Sequence, residues 1–235
     1  MATVSFITFC HPYHLPMLHK PGVLRTMVES HQHPFSEVIV VHQRCRGLEY
    51  QPLDYPARIV ESEDYYPQIF SEYGIKWPDP VLEELTHGPT SAHFWENHTM
   101  NHLIGLKEAK GDFIVFSDCD SKIIASDPRM SWVAKGIQIL SNRRNIFCVS
   151  PSDGGGERAI QIMSQQMFMV ETIRMRSEPI GMEWDGTFMP GGPFQEYYGM
   201  MEGRIGRVLT TKGYYRYVLP DKWRYWHTKD WVSLD

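Results

Sequence analysis

The sequence predicts an α/β fold: a mainly parallel sheet with helices on both faces. Three observations carry that prediction. Short, nearly continuous apolar runs recur through residues 3–150, as expected of strands covered on both faces. Segments with apolar residues at helical spacing separate them. The fourth run ends in "SDCD", which sets two carboxylates, Asp118 and Asp120, where such a sheet collects its ligands, beyond the carboxyl ends of its strands.

The elements follow in order. "TVSFITFC" (3–10) is β-rich and bounded by "HPYH". Pro21 and Gly22 then open a helix to about Ser30, with Val23, Leu24, Met27 and Val28 on one face. "EVIVVHQ" (37–43) is a second strand and "ARIVES" (57–62) a third. Residues 65–90 are rich in Tyr, Pro and Gly without a clear period, which suggests a lid, a binding loop or a disordered insert. Ser91 caps a helix carrying Trp95, His102, Leu103, Leu106 and Ala109, and Gly111 stops it. The strand "DFIVFS" follows. Ser126 and Pro128 start a further helix with Val133, Ile137 and Leu140 inward, and "IFCVS" (146–150) is the next strand. The glycine-rich "PSDGGGER" (151–158) reads as a flexible loop. In "MPGGPF" (189–194) the glycines admit close backbone approach to a ligand. Neither has the strand-to-helix spacing of a phosphate-cradling loop.

Bulk composition narrows the function classes. A hydrophobic share of 42% allows a sizeable core, and a net charge of −5 argues against a protein held to nucleic acid by charge alone. The N-terminus "MATVSFITFC" has no basic stretch of the secretory kind, and no apolar run reaches the roughly 18 residues of a membrane span. Cys10, Cys45, Cys119 and Cys148 are scattered with no CxxC pair, which fits free thiols in a reducing compartment. The expected location is the cytoplasm, or a host cell's cytoplasm for a phage or virus protein.

Two carboxylates one residue apart repel, so their pairing costs stability unless a cation or ligand sits between them. An Asx-rich turn after a strand is the plain alternative. The context favours the first reading. "NHLIGLKEAKGDFIVFSDCDSKI" resembles the nucleotide-sugar-binding half of GT-A fold glycosyltransferases, especially the family 2-like group, through Gly105, Ala109, Gly111, Asp118 and Asp120. The stretch from "VSFITFC" to "EVIVVHQ" looks like that family's opening strand, helix and strand. "FQEYYGMMEGRIGRVLTTKGYYRYVLPDKWRYWH" (194–227) resembles its acceptor-side helix, glycine, strand and late histidine. The likeness covers most of the chain, with 65–90 and 151–190 poorly matched.

The resemblance implies a single GT-A domain over 1–235, with a nucleotide-sugar half to about residue 125 and an acceptor half from about 126. It implies an inverting transfer of a hexosyl or pentosyl group from a UDP-, GDP- or dTDP-sugar, with Mn²⁺ or Mg²⁺ neutralising the diphosphate. Asp120 is then the first metal ligand, Asp118 a metal or ribose contact, and His227 a further ligand, although a packed or surface histidine stays open there. Glu202, eleven residues before Gly213, matches the catalytic base, and Glu196 the position that shapes the sugar pocket or competes for that role. The usual Glu-Asp pair is here "MEG", a departure that leaves the base open between them. The family's acidic turn after strand two is here "VVHQRC", so His42 or Gln43 takes its place, with Glu61 and Glu63 as alternatives. Thr8, Asn97 and Asn101 complete the expected donor contacts. His98 and His102 read as helix-face residues. The late aromatics Tyr214, Tyr215, Tyr217, Trp223, Tyr225, Trp226 and Trp231 are either sugar platforms or core. Expected acceptors are a glycan, a lipid-linked sugar, a protein, a small molecule or a modified DNA base. Two other classes stay in view. A sugar nucleotidyltransferase would need a glycine-rich loop after strand one, which "FCHPYHLP" lacks. A non-catalytic carbohydrate-binding or interaction module would have no use for Asp120.

Overall fold

The computed structural model describes residues 2–10, 15–42, 52–73, 91–127, 129–164, 166–178, 180 and 201–227. Eight strands form one sheet: β1 (Val4–Cys10), β2 (Glu37–His42), β3 (Arg58–Glu61), β4 (Phe113–Asp118), β6 (Ile146–Ser150), β7 (Arg158–Ile160), β8 (Met167–Glu171) and β9 (Tyr215–Val218), in the spatial order β3-β2-β1-β4-β8-β6-β9-β7. β1 pairs in parallel with both β2 and β4, β2 with β3, and β6 with β9. β8 is antiparallel to β4 and β6, and β7 is antiparallel to β9. The sheet is therefore mixed and mostly parallel. β7 and β8 fall in 151–190, where period alone gave no strand. "MFMVE" is a continuous apolar run, and only its position between two other strands reveals it as the sheet's centre.

β1 is buried at every residue. Val4, Phe6 and Cys10 face one core with α2 (Val23–Ser30) and its residues Leu24 and Met27, while Ile7 and Phe9 face the other. That second core holds Leu103 and Ile104 from α4 (Ser91–Glu108) and Ile205 and Leu209 from α7 (Met201–Lys212). α1 (Leu15–Leu18) leads into α2, whose N-cap Gly22 needs its positive φ of 87°.

The small residues of the "GLKEAKGD" stretch have a packing cause. A Cβ on Gly105 would lie 2.8 Å from Ile7 Cγ2, so α4 sits directly on β1. A Cβ on Gly111 would lie 2.6 Å from the Ser5 backbone nitrogen. Gly111 instead donates its N–H to Ser5 Oγ at 2.8 Å, and its carbonyl accepts from Thr172 Oγ1 at 2.7 Å.

Three boundaries differ from the sequence reading. The segment expected to be irregular from residue 65 begins with α3 (Tyr66–Tyr73), anchored by fully buried Ile69. The helix expected from Ser126 starts at α5 (Trp132–Asn142), because Asp127 accepts the Arg129 N–H in a local turn and Ser131 Oγ caps the helix from Ala134 N at 3.1 Å. "PSDGGGER" is a hydrogen-bonded turn: Ser152 Oγ accepts from Gly154 N at 3.0 Å, and Arg158 grips both Asp153 oxygens at 2.9 and 2.7 Å. α6 (Thr172–Ser177) follows β8. No helix among the described residues is long and apolar enough to cross a membrane.

Candidate active site

The parallel strands β3, β2, β1 and β4 end at Glu61, His42, Cys10 and Asp118, so these four residues stand along one edge of the sheet in that order. His42 and Glu61 are register partners. Glu61 is partly exposed, and His42 is buried with its carbonyl accepting from Ser62 Oγ at 3.0 Å. The Cys10 and Cys119 sulfurs touch at 3.3 Å, which binds the end of β1 to the residue between the two aspartates. Neither is in a disulfide, nor is buried Cys148, while Cys45 lies outside the described residues.

After Asp118 the chain turns through Cys119 and Asp120 into β5 (Ser121–Ala125). This strand pairs antiparallel with β10 (Arg224–His227) in a separate two-stranded ribbon. The register sets His227 opposite Ser121. A histidine more than a hundred residues downstream is thereby brought one position from Asp120, an adjacency that period and spacing alone do not reveal. Asp120 is buried and Asp118 partly exposed. Among the described residues no three His, Cys, Asp or Glu side chains gather into a metal cluster; the His227 side chain lies outside them. Two aspartates at this turn and a histidine in the adjoining strand are residue types whose oxygen and imidazole donors suit Mg²⁺ or Mn²⁺.

A short polar chain backs this turn. Asp118 N donates to the Gln166 carbonyl at 2.8 Å, and Tyr225 Oη donates to Gln166 Oε1 at 2.9 Å. Burial pushes the Tyr225 phenol above its ordinary range, with the Asp153 and Asp118 charges adding to that effect, so it acts as a neutral donor.

The other expected site residues divide. Thr8 is fully buried inside β1, with its hydroxyl 3.9 Å from Met27 Sδ. Asn101 is buried on α4, and its Oδ1 has no hydrogen-bond partner among the described residues. Asn97 lies on the same helix, but its side chain, like that of Glu63, is outside the described residues, as are Gln43 and Glu196 entirely. Glu202 sits partly buried in the first turn of α7. His102 is core, packed on Phe9 and Phe116. Of the late aromatics, Trp223 and Tyr225 are core residues, whereas Trp226 is 49% exposed beside His227.

Sequence reasoning passed over Arg216 in β9 and Ser150 in β6, both buried. The signal was present in "YRYV", where β9 alternates half-buried and buried positions and Arg216 takes a buried one. A cavity of about 350 Å³ opens away from the acidic turn, lined in part by Asp127, Arg129, Lys222 and Trp223. Hydrogen bonds from Arg129 and then Lys222 hold the Asp127 carboxyl well below the usual range, which makes this an internally paired surface cluster.

Neither a family model nor a curated protein matches the sequence. Among solved structures, the fold is similar to glucosyl-3-phosphoglycerate synthase from Mycobacterium tuberculosis in complex with Mg²⁺ and UDP. That match has a TM-score of 0.50 at 16% identity, over 97% of this chain and 72% of that one. It is similar to GalNAc-T7 with UDP, GalNAc and Mn²⁺, with a TM-score of 0.50 at 13% identity, over 100% of this chain and 45% of that one. The mannosyltransferase PcManGT from Pyrobaculum calidifontis, in complex with GDP-Man and Mn²⁺, matches with a TM-score of 0.47 at 14% identity, over 94% of this chain and 55% of that one. These neighbours are GT-A fold glycosyltransferases, and what this chain shares with them is that fold.

Proposed function

We propose that the protein is a metal-dependent, inverting glycosyltransferase that moves a hexosyl or pentosyl group from a UDP-, GDP- or dTDP-sugar to an acceptor hydroxyl. One observation carries the reading. On a sheet of the GT-A class, the turn bearing Asp118 and Asp120 follows β4, and the β5–β10 ribbon brings His227 beside it. Asp120 and His227 hold the cation, with Asp118 on the ribose or a cation-bound water. A divalent cation bound there supplies neutralisation of the diphosphate leaving group.

The remaining roles belong to side chains. His42 and Glu61, at the adjoining strand ends, bind the nucleoside, and Asn101 offers its buried amide to the donor side. Glu202 takes the proton of the acceptor hydroxyl as it attacks the anomeric carbon from the face opposite the leaving group, which inverts the configuration. Glu196 shapes the sugar pocket. In this division residues to about 125 bind the donor and those beyond bind the acceptor.

Calorimetry of UDP, GDP and dTDP binding tests the proposal, with Mn²⁺ and again with EDTA. We expect at least one nucleotide to bind only with Mn²⁺, and Asp120→Ala to weaken that binding at least about tenfold, the size of a lost charge-assisted contact. Equal affinity in EDTA, or an unaffected Asp120→Ala variant, would overturn it.

A further inference from the structure

We infer that Arg216, with Ser150 beside it, is a recognition point for a carboxylate or phosphate group other than the donor diphosphate.

The argument begins with a buried cation. Arg216 is 4% exposed, and among the described residues its Nε has no hydrogen-bond partner and its guanidinium no ion pair. An arginine cannot shed its proton to escape burial, so a charge held this way is costly until a counter-charge arrives. The groups nearby do not supply one. Cys148, its register partner in β6, has a thiol 3.6 Å from Met163 Sδ, and burial pushes that thiol up to about 12, so it stays neutral. Asp153 feels the Arg216 charge but gives both carboxylate oxygens to Arg158. Two cations thus share one anion, and one positive charge is left over.

A second unpartnered group lies on the same face. Ser150 is two residues beyond Cys148 in β6, so it shares the Cys148 and Arg216 side of the sheet and lies nearer the strand's carboxyl end. Its Oγ is buried with no hydrogen-bond partner among the described residues. A guanidinium with an unpaired Nε and an unpaired hydroxyl, on adjacent strands, form a two-point receptor for an oxyanion.

Position separates the site from the donor diphosphate. β9 is the third strand from β4 in the order β4-β8-β6-β9, roughly 14 Å across at about 4.8 Å per strand, and the register sets Arg216 level with Ile114 rather than with Asp118. That place does not suit a diphosphate held at Asp118 and Asp120. At 4% exposure Arg216 is also out of reach of a duplex backbone.

The test uses inorganic phosphate and, separately, acetate as probes, added to the protein in EDTA without nucleotide, with chloride at matched ionic strength as the control. Thermal shift and calorimetry read the outcome. We expect saturable stabilisation by at least one of the two, and the stronger probe names the source as phosphate or carboxylate. Arg216→Met should abolish that shift, Arg216→Lys should retain part of it, and Ser150→Ala should weaken the affinity by roughly three- to tenfold, as one lost hydrogen bond does. Arg216→Met should keep wild-type affinity for nucleotide with Mn²⁺. Shifts no larger than chloride gives, or equal shifts in wild type and Arg216→Met, overturn the site. If Arg216→Met does not fold, the wild-type titration and Arg216→Lys decide. Loss of nucleotide–Mn²⁺ binding in the wild type would instead sink the glycosyltransferase reading and leave the anion site standing.

Discussion

Acidification should destabilise this protein measurably through His31. The imidazole is fully buried where α2 meets α5, with its ring edge on Phe6 at 5.0 Å. Its Nδ1 accepts from Trp132 Nε1 at 2.9 Å, and its Nε2 has no partner among the described residues. Protonating Nδ1 would set two donors against each other in an apolar site. Burial first, and the neighbouring His33 charge second, lower the His31 pKa from 6.5 to about 3. The unfolded chain therefore binds a proton between those values that the folded chain refuses. The stabilising contribution is complete above pH 6.5 and is lost as pH falls toward 3, at about 1.4 kcal/mol per pH unit. Between pH 6.5 and 4.5 that amounts to roughly 2 kcal/mol, a sizeable part of a typical domain's stability. Urea denaturation at half-unit pH steps measures it, with His31→Asn as the reference. Asn places an acceptor near the Nδ1 position but does not titrate. Its absolute stability will be lower because it leaves a gap, so only the slopes are compared. Parallel pH profiles for wild type and His31→Asn would refute the reasoning.

Two further outcomes are expected. Glu202→Gln should bind nucleotide and Mn²⁺ normally yet turn over about 10²–10⁴ more slowly, whereas Glu196→Gln should weaken acceptor or donor-sugar affinity; reversed behaviour swaps the roles, and a product that keeps the donor's anomeric configuration excludes an inverting base. Gly111→Ala should lower Tm by roughly 6–12 °C, because a Cβ 2.6 Å from the Ser5 nitrogen forces backbone apart and strains the Ser5 hydrogen bond, together about 3 kcal/mol; a fall below about 2 °C in thermal denaturation would mean the crossing is looser than it looks.

What was legible in the sequence was whatever local chemistry specifies. β1, β2 and β4 are mostly apolar runs because helices cover both faces of the sheet, and the run itself announces them. The face of α2 was readable from Val23, Leu24, Met27 and Val28 for the same reason. Asp118 and Asp120 were readable because a like-charged pair after a strand is hard to explain without a ligand. The ribbon was not, because "SKIIA" and "RYWH" are each too short and mixed to show a period, and only pairing makes them strands. β8 failed for a different reason. An apolar run of five residues fits a buried helix turn or a strand equally well, and its antiparallel direction is a property of its neighbours.

Arg216 shows where such reading can go further. Strand alternation was used to find what is apolar and inward, and a charge at an inward position was passed over as an imperfection. In a folded chain it is the reverse. An apolar residue facing inward is what burial selects by default, and it says little about activity. A cation in the same position has to be compensated by something, and here the described residues leave it uncompensated. Either an anion that binds there supplies the compensation, as proposed, or the cost is carried as lost stability, and the phosphate and acetate titrations separate the two.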